Sequence, residues 1–160
     1  MVSSKILVPG PPSRRQNSRN DYESDTIDIF ARTIWGEARG EGAYGMHAVA
    51  CVIVNRLRIS RKMGSYWWGN TISGICRKPF QFSCWNADDP NLHKLLNVDD
   101  KDLAFQTAKR LARRAMHGVL ADITGGATHY HARSVTPYWA GGARPSKEIG
   151  SHIFYKLVEV

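Results

Sequence analysis

Glu37 is the residue whose setting most favours acid chemistry. Positions 27, 30, 34 and 37 step by three, four and three, so Glu37 continues an apolar helical stripe begun by Ile27, Phe30 and Ile34. A carboxylate at the end of an apolar face is costly to keep ionised, and burial there favours the neutral acid. An acid still protonated near neutral pH can donate its proton to a leaving oxygen, such as that of a glycosidic bond. The pattern leaves a competing reading equally open, in which Glu37 turns outward at the helix end into solvent. Glu41 follows four residues later, but Gly40 interrupts a continuous helix between them. It is open to three readings: a second carboxylate, a substrate contact, or simply an N-terminal cap and charge for the next helix.

Other chemistry-bearing residues carry weaker signals. His129 and His131 are two apart, so on a strand they share a face, with Tyr130 on the other. That arrangement raises a zinc site completed by His152 or Glu37. No HExxH run accompanies it, and no metal or cofactor is expected. The three cysteines, Cys51, Cys76 and Cys84, are odd in number and irregular in spacing, which fits neither a disulfide framework nor a zinc ribbon. They are read as reduced thiols, and nothing local marks Cys84 as an activated nucleophile. Trp35, Trp67, Trp68, Trp85 and Trp139 suit a carbohydrate groove, where sugar faces stack on rings, although core and rim positions are the commoner use.

The elements that must position these residues are mostly helical. A first helix is expected from about Asp25, which can cap it, to Glu37. The Gly40-Glu41-Gly42 segment ends it. A second helix over about Tyr44 to Leu57 carries Met46, Val49, Ala50, Ile53, Val54 and Leu57 on one face and Ala48, Cys51 and Val52 on the other. A helix apolar nearly all round belongs at the centre of a domain. Residues 59 to 100 give one short helical signal, Thr71 to Arg77. A third long helix spans about Asp102 to His117 and stops at Gly118, with Ala104, Ala108, Leu111 and Ala115 inward and Lys109, Arg110, Arg113 and Arg114 largely outward. After Gly125-Gly126 come two strand-like pieces, Thr128 to Arg133 and His152 to Val158. Residues 1–23 read as a flexible N-terminal arm without an apolar period, and residues 24–160 as one domain.

The longest apolar run, Ala48 to Val54, is far short of a membrane span. No apolar stretch follows the N-terminal basic residues, so a secretory signal is not expected. The net charge of +8 favours a polyanionic partner: nucleic acid, anionic lipid or an acidic wall polymer. No zinc finger or RNP-like run supports the first, and nucleic acid is not expected.

Several ordered blocks carry a resemblance. Ile34-Trp35-Gly36-Glu37-Ala38-Arg39-Gly40-Glu41-Gly42 is followed by Val49-Ala50 and Val54-Asn55-Arg56, then by Gln81-Phe82-Ser83-Cys84-Trp85. Next come Gly126-Ala127-Thr128-His129-Tyr130-His131, Pro137-Tyr138-Trp139-Ala140 and Ile149-Gly150-Ser151-His152-Ile153-Phe154-Tyr155. Together they resemble the catalytic domain of the spore cortex-lytic enzyme type of cell wall hydrolase, from about Asp25 to Tyr155. The resemblance implies an α+β fold, with a lysozyme-like, lytic-transglycosylase-like helical core and a small β-sheet. It also implies cleavage of the peptidoglycan glycan strand between N-acetylmuramic acid and N-acetylglucosamine, by a lytic transglycosylase with Glu37 as the single catalytic acid.

Glu41, Gln81, Ser83, His129, Tyr130 and Trp139 are then the expected substrate contacts. A hydrolase would instead need a second carboxylate, for which Glu41, Asp88 and Asp89 are candidates. Two alternatives stay open: a zinc-dependent amidase using His129, His131 and His152, and a non-catalytic wall-binding module. The expected partners are peptidoglycan and an anionic envelope surface, and a monomer is expected. Without a signal peptide or a separate wall-binding domain, the chain reads as a phage or prophage endolysin. On that reading it is made in the cytoplasm and acts on the wall after release.

Overall fold

A computed structural model describes residues 14–64 and 67–158. The first helix, α1 (Arg14–Ala38), starts eleven residues before the expected Asp25, so Asp25 is an interior residue and not a cap. Residues 14 to 23 lack an apolar period, so no amphipathic face marks them as helical. Arg, Gln and Glu are nonetheless good helix formers, and elongating an existing helix adds a hydrogen bond for each residue ordered. Glu23 on this extension lies 3.4 Å from His117 at the end of the last helix. Residues 1–13 of the expected arm lie outside the described residues.

A 3-10 turn, Arg39–Glu41, leads into α2 (Gly42–Met63), which ends at Gly64 in the left-handed conformation (φ 76°). This helix is central, as its all-round apolarity demands. One face, with Val49, Ala50 and Ile53, packs into a core shared with Phe30 and Ile34 of α1, Ile75 of α3 (Ile72–Arg77) and Phe105 and Ala108 of α5 (Leu103–Met116). Its opposite face, through Ala48 and Val52, meets Ala127, Ile149 and Phe154 from the sheet region. Fully burying each such large side chain contributes roughly 1.5–3 kcal/mol. The expected third long helix is α5, capped by Asp102, whose Oδ1 accepts the Phe105 amide at 2.8 Å. A short α4 (Leu92–Asn97) was not expected.

The sheet has three antiparallel strands in the order β1-β3-β2, where β1 is His129–Ala132, β2 Lys147–Ile149 and β3 His152–Tyr155. Strand β2 escaped the sequence reading because three residues, Lys-Glu-Ile, are too few to show alternation. Strand β3 is central, and pairs Tyr130 with Phe154 and Ala132 with His152 on one side, and Ile149 with His152 on the other. Among the described residues no helix is long and apolar enough to cross a membrane.

Two polar residues of α2, Asn55 and Arg56, join helices to sheet, the second by donating from Nε to Thr128 O at 2.8 Å. The buried Asn55 amide donates to Ala127 O (3.0 Å) and Asp122 Oδ2 (3.3 Å). Asp122 also accepts from the Thr124 amide (2.8 Å), the Thr124 hydroxyl (2.6 Å) and the Gly126 amide (2.7 Å), closing the turn that launches β1. Burial is the largest single influence on the Asp122 carboxyl and pushes it up, but these hydrogen bonds together outweigh it and leave it lowered. A depressed carboxyl contributes stability that is present above the ordinary aspartate range and lost as pH falls through the folded-state value. Urea unfolding between about pH 4.5 and pH 2.5 should therefore show wild-type stability falling with acidification, and a shallower fall for Asp122→Asn.

Candidate active site

Glu37 sits one residue before the end of α1, half-buried, with both carboxyl oxygens occupied. Oε1 accepts the Cys84 backbone amide at 3.2 Å, and Oε2 accepts the Tyr130 hydroxyl at 2.7 Å. Cys84 belongs to a 3-10 turn, Ser83–Trp85, that packs on α1 because position 36 is glycine. A Cβ on Gly36 would stand 2.7 Å from Cys84 Cβ and 2.9 Å from Leu95 Cδ1. Trp85 secures the same turn by donating from Nε1 to Thr33 Oγ1 at 2.9 Å. Tyr130 is stacked on Phe154 (centroids 5.5 Å apart) and lies against His152 (5.1 Å). Burial, then the Glu37 charge, pushes its phenol well above the usual range, so it stays a neutral donor.

Glu37 lines a cleft of about 510 Å³ with Arg56, Trp67, Phe80, Gln81, Ser83 and residues of the sheet edge. Strand β1 alternates as expected: His129 and His131 lie against Trp139 at 5.3 and 5.7 Å, while Tyr130 faces the core. All three still border the cleft, because β1 is an edge strand around which the cleft wraps. Gln81, Ser83, His129, Tyr130 and Trp139 are thus brought together around Glu37.

Glu41 is not among the residues lining this cleft. Its Oε2 accepts the Ser151 amide at 3.0 Å in the β2–β3 turn. That backbone hydrogen bond holds the carboxyl below its usual range, against a smaller upward push from burial. Gly150 makes the contact possible: its φ is 57°, and a Cβ there would run into the Glu41 carboxylate. Glu41 therefore fastens a turn, which its sequence position could not reveal. Asp89 borders a neighbouring hollow, and its Oδ1 accepts the Asn91 amide at 2.7 Å. Asp88 lines neither.

The three histidines of the zinc reading do not converge. His131 Nε2 pairs with the Tyr155 hydroxyl (2.9 Å) and its Nδ1 with Ala132 O (2.7 Å), while His129 Nδ1 meets Thr128 Oγ1 (2.8 Å). Among the described residues no three His, Cys, Asp or Glu side chains gather as metal ligands. Cys51, Cys76 and Cys84 are free and buried. Burial raises all three thiols, Cys51 to about 11 and Cys76 to about 12, so none is poised as a nucleophile.

Residues not singled out from sequence complete the site. Arg56 is buried, donates from Nε to Thr128 O at 2.8 Å and from Nη1 to Gln81 Oε1 at 3.4 Å, and lies 5.2 and 5.3 Å from the Trp68 and Phe82 rings. Burial pulls its guanidinium down to about 10, which leaves it charged at neutral pH. Burial and then Arg56 pull His129 down to about 4, so its ring is neutral. Phe80 is 86% exposed and adopts a left-handed φ of 64°, a strained conformation for a bulky residue. With Trp67 and Trp139 it forms an exposed aromatic rim. Adjacency to the Gln81-Phe82-Ser83 block was the available hint for Phe80; an arginine in an apolar helix was the hint for Arg56.

The fold and site define a lysozyme-like α+β domain with one fixed carboxylic acid in an aromatic cleft. Residues 40–155 match the family model described as cell wall hydrolase, and the chain belongs to that family. It is 32% identical over 147 residues to a spore cortex-lytic enzyme of Bacillus cereus, covering 91% of this chain and 50% of that one. It is 29% identical to the Bacillus subtilis spore cortex-lytic enzyme, covering 86% and 40% respectively. The chain thus spans about half the length, or less, of these curated relatives. Among solved structures it is similar to the catalytic domain of the germination-specific lytic transglycosylase SleB from Bacillus anthracis (TM-score 0.61, 29% identity, 93% of this chain and 100% of that one). The catalytic domain of Bacillus cereus SleB gives a TM-score of 0.62 at 28% identity, covering 96% and 100%.

Two substitutions test the geometry. Gly36→Ala forces the Cys84 turn off α1, and should lower the unfolding midpoint by overpacking worth about 1–3 kcal/mol, despite alanine's better helix propensity. Tyr130→Phe removes one of the two donors to Glu37; turnover should fall about ten- to a hundredfold while the fold, checked by circular dichroism, persists.

Proposed function

We propose that the protein cleaves the peptidoglycan glycan strand between N-acetylmuramic acid and N-acetylglucosamine as a lytic transglycosylase, with Glu37 as its single catalytic acid. The observation that carries this reading is a carboxyl group fixed at both oxygens in an aromatic cleft that, among the described residues, no other carboxylate lines. Glycosidases that use water place a second carboxylate about 5–9.5 Å from the acid. Here Glu41 is taken by Ser151, and Asp89 lines not the aromatic cleft but the adjoining hollow that Glu37 also borders, where it accepts the Asn91 amide. The lytic transglycosylase named among the similar structures supports the same reading.

One carboxyl group suffices when the acceptor is part of the substrate. Glu37 protonates the leaving oxygen as its bond to the muramic anomeric carbon breaks. The carboxylate so formed takes the proton of the muramic 6-hydroxyl while that oxygen bonds to the same carbon. The product is a 1,6-anhydro sugar, no water is consumed, and Glu37 ends protonated as it began. Tyr130 and the Cys84 amide support the transient carboxylate, and the aromatic rim and the neutral His129 offer stacking faces and a hydrogen-bonding edge to sugars. The exposed Arg110, Arg113 and Arg114 on α5 favour attraction to an anionic envelope.

Digestion of purified peptidoglycan, with the released ends identified by mass spectrometry, tests this reading. Wild type should release anhydro-muropeptides, and Glu37→Gln should be slower by about a hundredfold or more. Reducing ends would mean hydrolysis. Free peptides alone, or full activity in Glu37→Gln, would overturn the reading.

A further inference from the structure

Glu37 borders two hollows. The second, of about 200 Å³, is walled by Trp35, Arg39, Ser83, Asp89 and Asn91 among others. Glu37 and Ser83 line both, so the two meet at the acid. Their chemistry differs. The larger presents aromatic faces, whereas the smaller presents a guanidinium and polar groups.

Arg39 is held ready but is not neutralised. Its Cζ lies 4.3 Å from the centroid of the Trp35 ring, and one N–H donates to Gly36 O at 3.3 Å. The Trp35 platform is itself fixed, because its Nε1 donates to Asp102 Oδ1 at 3.1 Å. Among the described residues Arg39 makes no ion pair, so most of its five N–H donors stay available. Asp89 shares the hollow without pairing to it, and Asp89 Oδ2 accepts no hydrogen bond among the described residues. A fork of donors beside a separate acceptor suits a ligand that brings a carboxylate to the one and an N–H to the other.

The two sugars of the strand differ in one substituent. The muramic residue carries a 3-O-lactyl group whose carboxyl is free or joined to a peptide, and that peptide carries further N–H groups and carboxylates. We infer that the Arg39 hollow receives this acidic acyl arm, with Arg39 binding a carboxylate of the muramoyl residue beside the bond that Glu37 cleaves. The inference rests on the proposed glycan cleavage and adds to it the device that distinguishes muramic acid from its neighbour. A fixed guanidinium on one side of the acid sets which sugar lies there, and so which of the two alternating bonds is cut.

The test uses the full chain on four substrates: peptide-bearing strands, strands stripped of peptide by an amidase, and each of these with carboxyls capped as methylamides. Capping should raise the wild-type KM about tenfold while kcat stays within about twofold, since the interaction aids binding. Arg39→Gln should raise KM on uncapped strands to the same level, with capping then adding nothing further; Arg39→Lys, which keeps the charge but not the fork, should fall between. An effect on stripped strands identifies the lactyl carboxylate, and one confined to peptide-bearing strands a peptide carboxylate. The inference fails if capping leaves wild-type KM unchanged, or if capping and Arg39→Gln add independently. Should Arg39→Gln not fold, wild-type capping and Arg39→Lys decide the matter alone. A wild type that releases no glycan ends from any strand overturns the proposed function itself, whereas an active wild type indifferent to capping overturns only this inference.

Discussion

The Glu37 carboxyl is tied at its two oxygens to groups 47 and 93 residues further along the chain. A carboxyl at a helix end, left to itself, would rotate among its rotamers and turn toward water. Two directional hydrogen bonds from different parts of the fold hold it in one orientation, and much of the architecture exists to bring those donors to it. The Cys84 amide arrives because Gly36 lets a turn lie directly on α1. The Tyr130 hydroxyl arrives because β1 is paired to β3, whose Phe154 gives the phenol ring a surface to stack on.

Helix α2 makes that convergence possible. It is wedged between the other helices and the sheet, so helical core and sheet have no freedom to slide apart. Apolar packing alone would leave the register of β1 loosely set. Asn55 and Arg56, buried neighbours on α2, reach across to Ala127 O and Thr128 O on the approach to β1. Hydrogen bonds of this kind add little net stability when made but cost about 1–3 kcal/mol when a buried partner is left bare, so they specify position more than they add strength.

Arg56 also sets the electrostatics of the cleft. It keeps its charge despite burial, lies close to two aromatic rings, and lowers the tendency of His129 to protonate. Among the described residues the cleft thus combines the Arg56 guanidinium and the Glu37 carboxyl group with exposed aromatic rings, a composition suited to a sugar backbone. The strained Phe80 at its rim fits the same picture, since an exposed aromatic in an unfavourable backbone conformation is seldom retained for packing alone.

Local pattern was enough for much of this protein. The apolar stripe ending at Glu37, the all-round apolar α2, the Asp102 cap of α5 and the same-face pair His129 and His131 follow from periods of 3.6 and 2, which neighbouring residues impose on one another. The polar start of α1 and the three-residue β2 were not legible, because neither shows a period: one is carried by helix elongation, the other by pairing with β3. Ordered motif blocks pointed to the family, but they could not say what each residue does. Glu41 fastens a turn through Ser151, Arg56 furnishes the cleft with its cation, and the donors to Glu37 come from a backbone amide and a tyrosine far along the chain. Those outcomes depend on which distant groups come within about 3 Å of one another. Sequence spacing carries no information about such distances; only packing of the whole domain decides them.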